Sequence, residues 1–101
     1  MIVEILYTRA CPHHAPTVDL VRRLVRDLGF DAEIREVEVR GADDAQRLRF
    51  FGSPSVRVNG HDIEPARREE ASYGLSCRLY GRSGTPPTDL VASALAEGAS
   101  R

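Results

Sequence analysis

The sequence contains no lysine and no tryptophan, and it has one methionine and two cysteines among its 101 residues. All fourteen basic residues are therefore arginines, which we attribute to coding bias, and fifteen acidic residues bring the net charge at pH 7 to -1. This balance gives no electrostatic basis for binding nucleic acid or an anionic membrane surface. The chain also lacks any apolar run close to the roughly 20 residues that a membrane-spanning helix needs.

The first residues, MIVEILYT, lead directly into a strand pattern. They contain neither a basic stretch nor a small-residue cleavage site, so no signal peptide is predicted and a cytoplasmic location is expected. Disulfides are rare in that compartment, and Cys11 and Cys77 are therefore predicted to be reactive or metal-binding rather than a structural disulfide. The length and the ordinary hydrophobic and charged fractions, 42% and 29%, predict a single globular domain over residues 1–101.

The start of the chain has the pattern of a strand, a helix and a second strand. Residues 2–7 form a short apolar run that is typical of a buried central strand. The following helix should end at Gly29 and bury one apolar face, which consists of Val18, Val21, Leu24, Val25 and Leu28. Residues 32–39 are predicted as a strand whose alternation slips between Ile34 and Val37, which indicates a bulge or a frayed end.

Two further helices are predicted from capping residues and apolar spacing. The first should be capped by Asp43 or Asp44, end at Gly52 and place three apolar residues on one face: Ala45, Leu48 and Phe51. The second should have Thr85 as its cap and Pro86 at its first helical position, with an apolar face formed by Leu90, Val91, Ala94 and Leu95.

Between these helices the sequence SPSVRVNG predicts a third strand followed by a tight turn. Asn59-Gly60 is the strongest hairpin signal in the chain, and residues 61–64 are the predicted returning strand. His61 follows the turn and is expected at the surface. Residues 65–84 have no clear period and are predicted as an inserted loop.

The resulting order is β-α-β-α-β-β-α, which is an α/β fold. Strands joined through helices are expected to be parallel, with right-handed crossovers, and the hairpin makes the last strand antiparallel to the third. The sequence therefore predicts a four-stranded mixed sheet flanked by helices.

Two motifs in this order resemble the thioredoxin-like superfamily in its short glutaredoxin-type form. Cys11-Pro12-His13-His14 follows the first strand, where that family has C-P-x-C, and Ser53-Pro54 opens the third strand, where the family has a cis proline. The resemblance implies a cis Pro54 and a thiol–disulfide oxidoreductase or thiol-transfer activity without a cofactor. His14 stands in place of the second cysteine, so no disulfide can form within the motif.

The position of Cys11 at a helix amino terminus suits a nucleophile. Unpaired N–H groups and the positive end of the helix dipole stabilise a thiolate there. Pro12 is predicted at the first helical position, where it stiffens the turn. His14 could stabilise the thiolate, accept its proton or bind a metal. Arg9 would add positive potential.

A substrate-binding set follows from the same resemblance and comprises Pro12, His13, Ser53 and Pro54. A cis bond would turn the backbone of Ser53 toward the thiol, where it could pair with an extended substrate. For His13 a plain surface position is an alternative.

Cys77 lies in the inserted loop over residues 65–84. The third strand should start at the edge of the sheet where Cys11 lies, and the fourth should end there, so the loop emerges beside Cys11. Cys77 is then a resolving cysteine, a thiolate ligand for a soft metal together with Cys11 and His14, or a buried residue that fixes the loop.

Three functions remain open at this point. The first is the thiol-dependent activity above, with catalytic residues Cys11, His14 and Cys77 and a protein or small-molecule thiol or disulfide as partner. The second is a non-enzymatic binder of soft metals or organomercurials, since residues 52–95, with YGLSCRLY and GTPP, resemble small thioredoxin-fold proteins labelled as related to alkylmercury lyase. The third is an interaction module with a vestigial site.

Overall fold

The computed structural model describes residues 1–65, 74, 78, 80 and 84–100. The elements in these residues follow the predicted order. They are β1 (Ile2–Tyr7), α1 (His14–Asp27), β2 (Glu33–Glu38), α2 (Ala42–Leu48), β3 (Ser55–Val58), β4 (His61–Asp62) and α3 (Thr88–Ala99).

The four strands form an open mixed sheet in the order β2-β1-β3-β4. β1 is the interior strand that its apolar run predicted, parallel to β2 on one side and antiparallel to β3 on the other. β3 and β4 are antiparallel, as the Asn59-Gly60 hairpin predicted. The expectation that all helix-joined strands are parallel was wrong for β3.

The short length of α2 explains the direction of β3. α2 has seven residues, which gives it a length of about 10 Å. A six-residue strand such as β2 is about 20 Å long. The connection therefore does not return along the sheet, and β3 starts at the edge where β1 and β2 end.

Both faces of the sheet are covered. Val3 and Ile5 point to one face with Val56 and Val58, and they pack against α1 and α3 through a core that includes Val21, Leu24, Val91 and Leu95. Leu6 points to the other face, where it packs with Val37, Val39, Ala45, Leu48 and Phe50.

This two-sided burial accounts for the slipped alternation in β2. Ile34 packs with the core that faces α1 and α3, whereas Val37 packs with the core on the other face of the sheet, around Leu6. The six residues of β2 pair one to one with β1, so there is no bulge in this strand. The prediction of a bulge or a frayed end was wrong because it assumed that only one face of the sheet was buried.

The bounds of α2 and α3 differ from the predicted ones. The N-cap of α2 is Gly41, and α2 ends at Leu48 because Arg49 adopts a left-handed conformation with φ 54°. Phe50 rather than Phe51 is the fully buried aromatic after it. α3 has Pro87 as its N-cap and Thr88 as its first residue. Thr85 is therefore not the cap, and Pro86 is not at the first helical position.

Asp43 and Asp44 lie in the first turn of α2 rather than at its cap. Asp44 accepts hydrogen bonds from the Arg47 guanidinium at 3.0 Å and from the Arg40 backbone N–H at 3.1 Å. These bonds, the one from Arg47 first, lower the pKa of the Asp44 carboxyl below its ordinary value.

The β3–β4 turn has the backbone that its sequence predicted. Asn59 and Gly60 both have positive φ, 52° and 84°, as a type I′ turn requires. His61 is exposed, as expected. Among the residues that the structure describes, no helix is long and apolar enough to cross a membrane.

Candidate functional site

Cys11 lies in a double turn between β1 and α1. Its backbone N–H donates to the Thr8 carbonyl at 3.2 Å, and its own carbonyl accepts from the His14 N–H at 3.3 Å. Ala10 adopts a positive φ of 63° within the first of these turns. The thiol is free and partly exposed, so it is accessible from solvent.

Helix α1 begins two residues later than predicted. His13 is the N-cap and His14 is the first helical residue, whereas Pro12 lies in the preceding turn and is exposed. The prediction that Pro12 occupies the first helical position was therefore wrong. Residues 11–14 form a turn, which is closed by the hydrogen bond from the His14 N–H to the Cys11 carbonyl. The helical hydrogen bonds therefore begin later in the chain.

His13 fixes the start of α1. Its carbonyl accepts from the Thr17 N–H at 3.1 Å and from the Thr17 hydroxyl at 2.7 Å. Its ring lies directly against Gly84, where a Cβ would come within 2.3 Å of the ring atoms Cδ2 and Nε2. The ring is thus packed against the residue that leads toward α3, while His13 as a whole is partly exposed.

His14 is held by two residues that sequence reasoning did not identify. Its Nε2 lies 2.7 Å from Oε1 of Glu36 on β2. Its ring stacks on that of Tyr7, with the ring centroids 3.6 Å apart and the planes 6° from parallel. Arg22 of α1 approaches the other Glu36 oxygen at 3.8 Å. Glu36 therefore holds the His14 ring through Nε2.

Register explains why Tyr7 and Glu36 were missed. Ile5 pairs with Glu36 and Tyr7 with Glu38, so Tyr7 and Glu36 point to the same face of the sheet as α1. Nothing in the sequence sets the register between two parallel strands. The one sequence signal for the contact with His14 was the aromatic residue at the end of β1.

The Ser53-Pro54 segment lies beside the turn that contains Cys11. The peptide bond between these residues is cis. Ser55 pairs with Leu6, which places the start of β3 at the carboxyl end of β1. The Ser53 hydroxyl accepts a hydrogen bond from the Thr8 backbone N–H at 3.0 Å. Ser53 and Pro54 are both fully buried, with less than 2% of their surface exposed.

A buried arginine from the predicted loop reaches the same segment. Arg78 is 2% exposed and forms a two-pronged ion pair with Asp62, with both N···O distances at 2.7 Å. It also contacts Glu64 at 2.6 Å and the Ser55 hydroxyl at 3.1 Å. Burial opposes its charge, but the hydrogen bonds to Asp62 and Glu64 outweigh burial and raise the pKa of Arg78.

Arg78 and its described neighbours Gly74 and Tyr80 are tied to the segment before β3. The Arg78 N–H donates to the Ser53 carbonyl at 2.8 Å, and the Gly74 N–H donates to the Phe50 carbonyl at 3.0 Å. The Tyr80 hydroxyl donates to the Pro54 carbonyl at 2.7 Å, and the Tyr80 ring lies 4.6 Å from the Arg78 guanidinium. Burial raises the pKa of the Tyr80 hydroxyl, although Arg78 opposes this.

This cluster was not found from sequence, which assigned residues 65–84 no pattern. One signal was present, namely a single arginine in the otherwise largely apolar YGLSCRLY. A charged residue in such a context is buried only when it is paired, and Asp62 supplies the partner from β4.

An open groove of about 610 Å³ borders the Cys11 turn. Its lining residues come from the ends of β1 and β2 and are Thr8, Arg9, Glu38, Val39 and Arg40. Arg40 is paired with Glu38 at 3.0 Å, and Arg9 is exposed at the groove. The volume is in the range of small-molecule sites, about 300–1,000 Å³.

The structure thus brings Cys11, Pro12, His13, His14, Ser53 and Pro54 to one edge of the sheet. Cys77 lies outside the described residues, so its predicted resolving and metal-binding roles stay predictions. Within the described part of the chain, no group of three or more histidine, cysteine or acidic side chains could hold a metal ion.

The chain matches no family model, no curated protein and no solved structure.

Proposed function

We propose that this protein is a thioredoxin-like thiol–disulfide oxidoreductase or thiol-transfer protein in which Cys11 is the nucleophile. One observation carries the proposal: a free, partly exposed thiol precedes a helix and lies beside a cis Ser53-Pro54 segment, to which its turn is joined through Thr8. The strand order β2-β1-β3-β4 with an antiparallel β3 supports the thioredoxin-like assignment. The proposal includes a cytoplasmic location, where thiols stay reduced.

In the first chemical step the Cys11 thiolate attacks one sulfur of a substrate disulfide. A mixed disulfide with Cys11 forms, and the other half of the substrate leaves as a thiolate. In the oxidoreductase reaction the Cys77 thiolate attacks Cys11, the second half of the substrate leaves, and a Cys11–Cys77 disulfide remains. Two electrons have then passed to the substrate, and an external thiol reductant restores both cysteines. In thiol transfer, an external thiol attacks the mixed disulfide and Cys77 is not needed.

The neighbours of Cys11 have distinct roles in this proposal. The amino-terminal N–H groups of α1 favour the thiolate electrostatically. His14, oriented by Glu36 and Tyr7, transfers the proton of the attacking or leaving thiol. Ser53 holds the turn in place through its hydrogen bond with Thr8.

The substrate-binding roles of Pro12, His13, Ser53 and Pro54 belong to the same proposal. Pro12 is exposed beside the thiol, so it is the member of this set best placed to touch a substrate in solution. In this proposal the partly exposed His13 and the buried Pro54 form the inner wall of the site.

The role proposed for Cys77 is supported by its neighbour in the sequence. Arg78 follows Cys77 directly, and the Arg78 N–H is 2.8 Å from the Ser53 carbonyl. Ser53 in turn contacts the Cys11 turn through Thr8. Arg78, the described residue that follows Cys77, is therefore tied to the edge of the sheet at which the mixed disulfide would form.

The nucleophile is tested by following alkylation of Cys11 by iodoacetamide at about pH 7. In a Cys77→Ser background, which isolates Cys11, we expect a rate above that of free cysteine, and a Cys11→Ser protein should lose disulfide reductase or transfer activity. Alkylation that becomes appreciable only above about pH 8.5, as for an ordinary thiol, would contradict an activated Cys11.

A metal titration separates this proposal from the soft-metal alternative. Hg(II), Cu(I) and Zn(II) are added in turn to the wild type and to Cys77→Ser. Metal-independent transfer activity that survives in Cys77→Ser supports the proposal. Tight metal binding that requires both cysteines, with no turnover of disulfides, would contradict it and favour a binding protein.

A further inference from the structure

Three contacts tie the described residues of the loop to the segment before β3. The carbonyls of Phe50, Ser53 and Pro54 each accept a hydrogen bond, from the Gly74 N–H, the Arg78 N–H and the Tyr80 hydroxyl respectively. Together with Ser53 and Pro54, which are fully buried, these contacts close the backbone at which an extended substrate would pair.

Pairing of an added peptide strand depends on free backbone groups at a sheet edge. Here the Ser53 carbonyl is already bonded to the Arg78 N–H at 2.8 Å. The bond is intramolecular, so a substrate peptide would have to displace a group that is held permanently at the site.

The Arg78 side chain makes this displacement costly. Its guanidinium is 1% exposed and is held by Asp62, Glu64 and the Ser55 hydroxyl. Moving Arg78 away from Ser53 would separate a buried ion pair, which is strongly unfavourable because it leaves uncompensated charges.

We infer that Arg78 is a specificity-determining residue, and that the contacts of Gly74, Arg78 and Tyr80 with the segment before β3 exclude extended polypeptides and restrict Cys11 to small thiol compounds. This inference rests on the proposed function and names the substrate class of that site. The exposed groove beside the Cys11 turn has the volume for such a compound.

The test compares two substrates with the same reacting disulfide. The small one is the mixed disulfide of N-acetylcysteine amide with 2-nitro-5-thiobenzoate, and the large one has that cysteine at the centre of an unstructured peptide of about ten residues. Cys11 attacks the cysteine sulfur in both, forms a mixed disulfide and releases one coloured thiobenzoate ion, so no further oxidant or reductant is needed. The Cys77→Ser protein is used, with 2-mercaptoethanol as the reference thiol.

We expect the ratio of small-substrate rate to peptide rate to exceed that of 2-mercaptoethanol by about tenfold or more. Glu64→Gln, which removes one partner of Arg78, should lower this ratio by about threefold, and Arg78→Gln should lower it further. Arg47→Gln, which breaks an exposed ion pair on α2, should leave the ratio unchanged.

A ratio equal to that of 2-mercaptoethanol, with both substrates reacting faster than they do with Cys11→Ser, overturns the inference and leaves the proposed function intact. No reaction of either substrate above the Cys11→Ser level overturns the proposed function, and this inference falls with it. The decisive ratio is measured in the Cys77→Ser protein with Arg78 and its partners unchanged, so a failure of Arg78→Gln to fold does not affect the outcome.

Discussion

Two ion-pair clusters adjoin the Cys11 turn and differ in their exposure to water. The side chains of Arg78 and Asp62 are 1% and 3% exposed, whereas those of His14 and Glu36 are 24% and 40% exposed. Both clusters include a contact as short as 2.7 Å, so distance alone does not separate them.

The difference in exposure gives the two clusters different uses. A buried pair holds the backbone in one arrangement because either partner alone would be an uncompensated charge. An exposed pair is weak, but it can exchange protons with solvent. The Arg78 cluster is therefore suited to positioning the segment around Ser53, and the His14–Glu36 pair is suited to proton transfer.

The largest expected effect is on stability, from breaking the buried cluster. Arg78→Met removes the guanidinium that pairs with Asp62 and Glu64 and should lower the free energy of unfolding by about 3–5 kcal/mol. Urea unfolding of the purified protein measures the change. Arg47→Met is the matched control, since it breaks an exposed pair and should change the free energy of unfolding far less. Equal losses of unfolding free energy in the two variants would contradict the distinction between a stabilising buried pair and a weak exposed pair.

The next effect appears at alkaline pH and involves Tyr80. Because the pKa of Tyr80 is raised by burial, the folded protein keeps this proton where the unfolded chain loses it. Below about pH 10 this contribution to stability is fully present, and above that pH it is lost with a slope of up to about 1.4 kcal/mol per pH unit.

Urea unfolding between about pH 9 and 11.5 measures this slope, and Tyr80→Phe should make it shallower. The Phe variant also loses the hydrogen bond to the Pro54 carbonyl, which lowers stability equally at all pH values. The same slope in both proteins would show that Tyr80 ionises as freely in the folded state as in the unfolded chain.

Breaking the exposed cluster should affect reactivity more than stability. Glu36→Gln should cost less than about 1 kcal/mol of unfolding free energy. It removes the carboxylate that orients the His14 ring, and we expect alkylation of Cys11 at about pH 7 to slow two- to fivefold. Glu33→Gln, on the same strand but facing away from α1, is the control. A loss of unfolding free energy well above about 1 kcal/mol, with the alkylation rate of Cys11 unchanged, would reverse the roles assigned to the two clusters.

The smallest effect concerns the Asp44–Arg47 pair on α2. Asp44 should titrate below its ordinary range because Arg47 and the Arg40 N–H bond to its carboxylate. Stability from this group is therefore present at neutral pH and is lost as pH falls through the lowered pKa of Asp44. NMR titration of the Asp44 carboxyl should give a midpoint below 3.8, and Arg47→Gln should move it upward. A midpoint that does not respond to Arg47→Gln contradicts the assignment.

Local patterns were enough to predict the elements of the fold. The apolar run of β1, the helical spacing of α1 and the Asn59-Gly60 turn depend on neighbouring residues, and the structure confirms each of these elements. Leu28 is the exception on the predicted face of α1, because it is the C-cap and is 51% exposed. The direction of β3 could not be obtained in this way, because it depends on how far α2 reaches relative to the length of a strand. The start of α1 also depends on a tertiary contact, between the His13 ring and Gly84.

The site was predictable only in its nearest residues. Cys11, His14 and Ser53 could be named from two motifs, but Glu36 depends on strand register and Arg78 on pairing with Asp62 across 16 positions. Both of these contacts join segments that are not adjacent in sequence, and no periodicity or turn signal encodes them.

The anchoring of Gly74, Arg78 and Tyr80 has a consequence for changes in chain length. Gly74, Arg78 and Tyr80 are each tied to a different carbonyl of residues 50–54, so their mutual spacing is fixed. One residue inserted between Arg78 and Tyr80 would separate the guanidinium from Asp62 or the hydroxyl from Pro54. Length variation among relatives of this chain should therefore be rare between Gly74 and Tyr80.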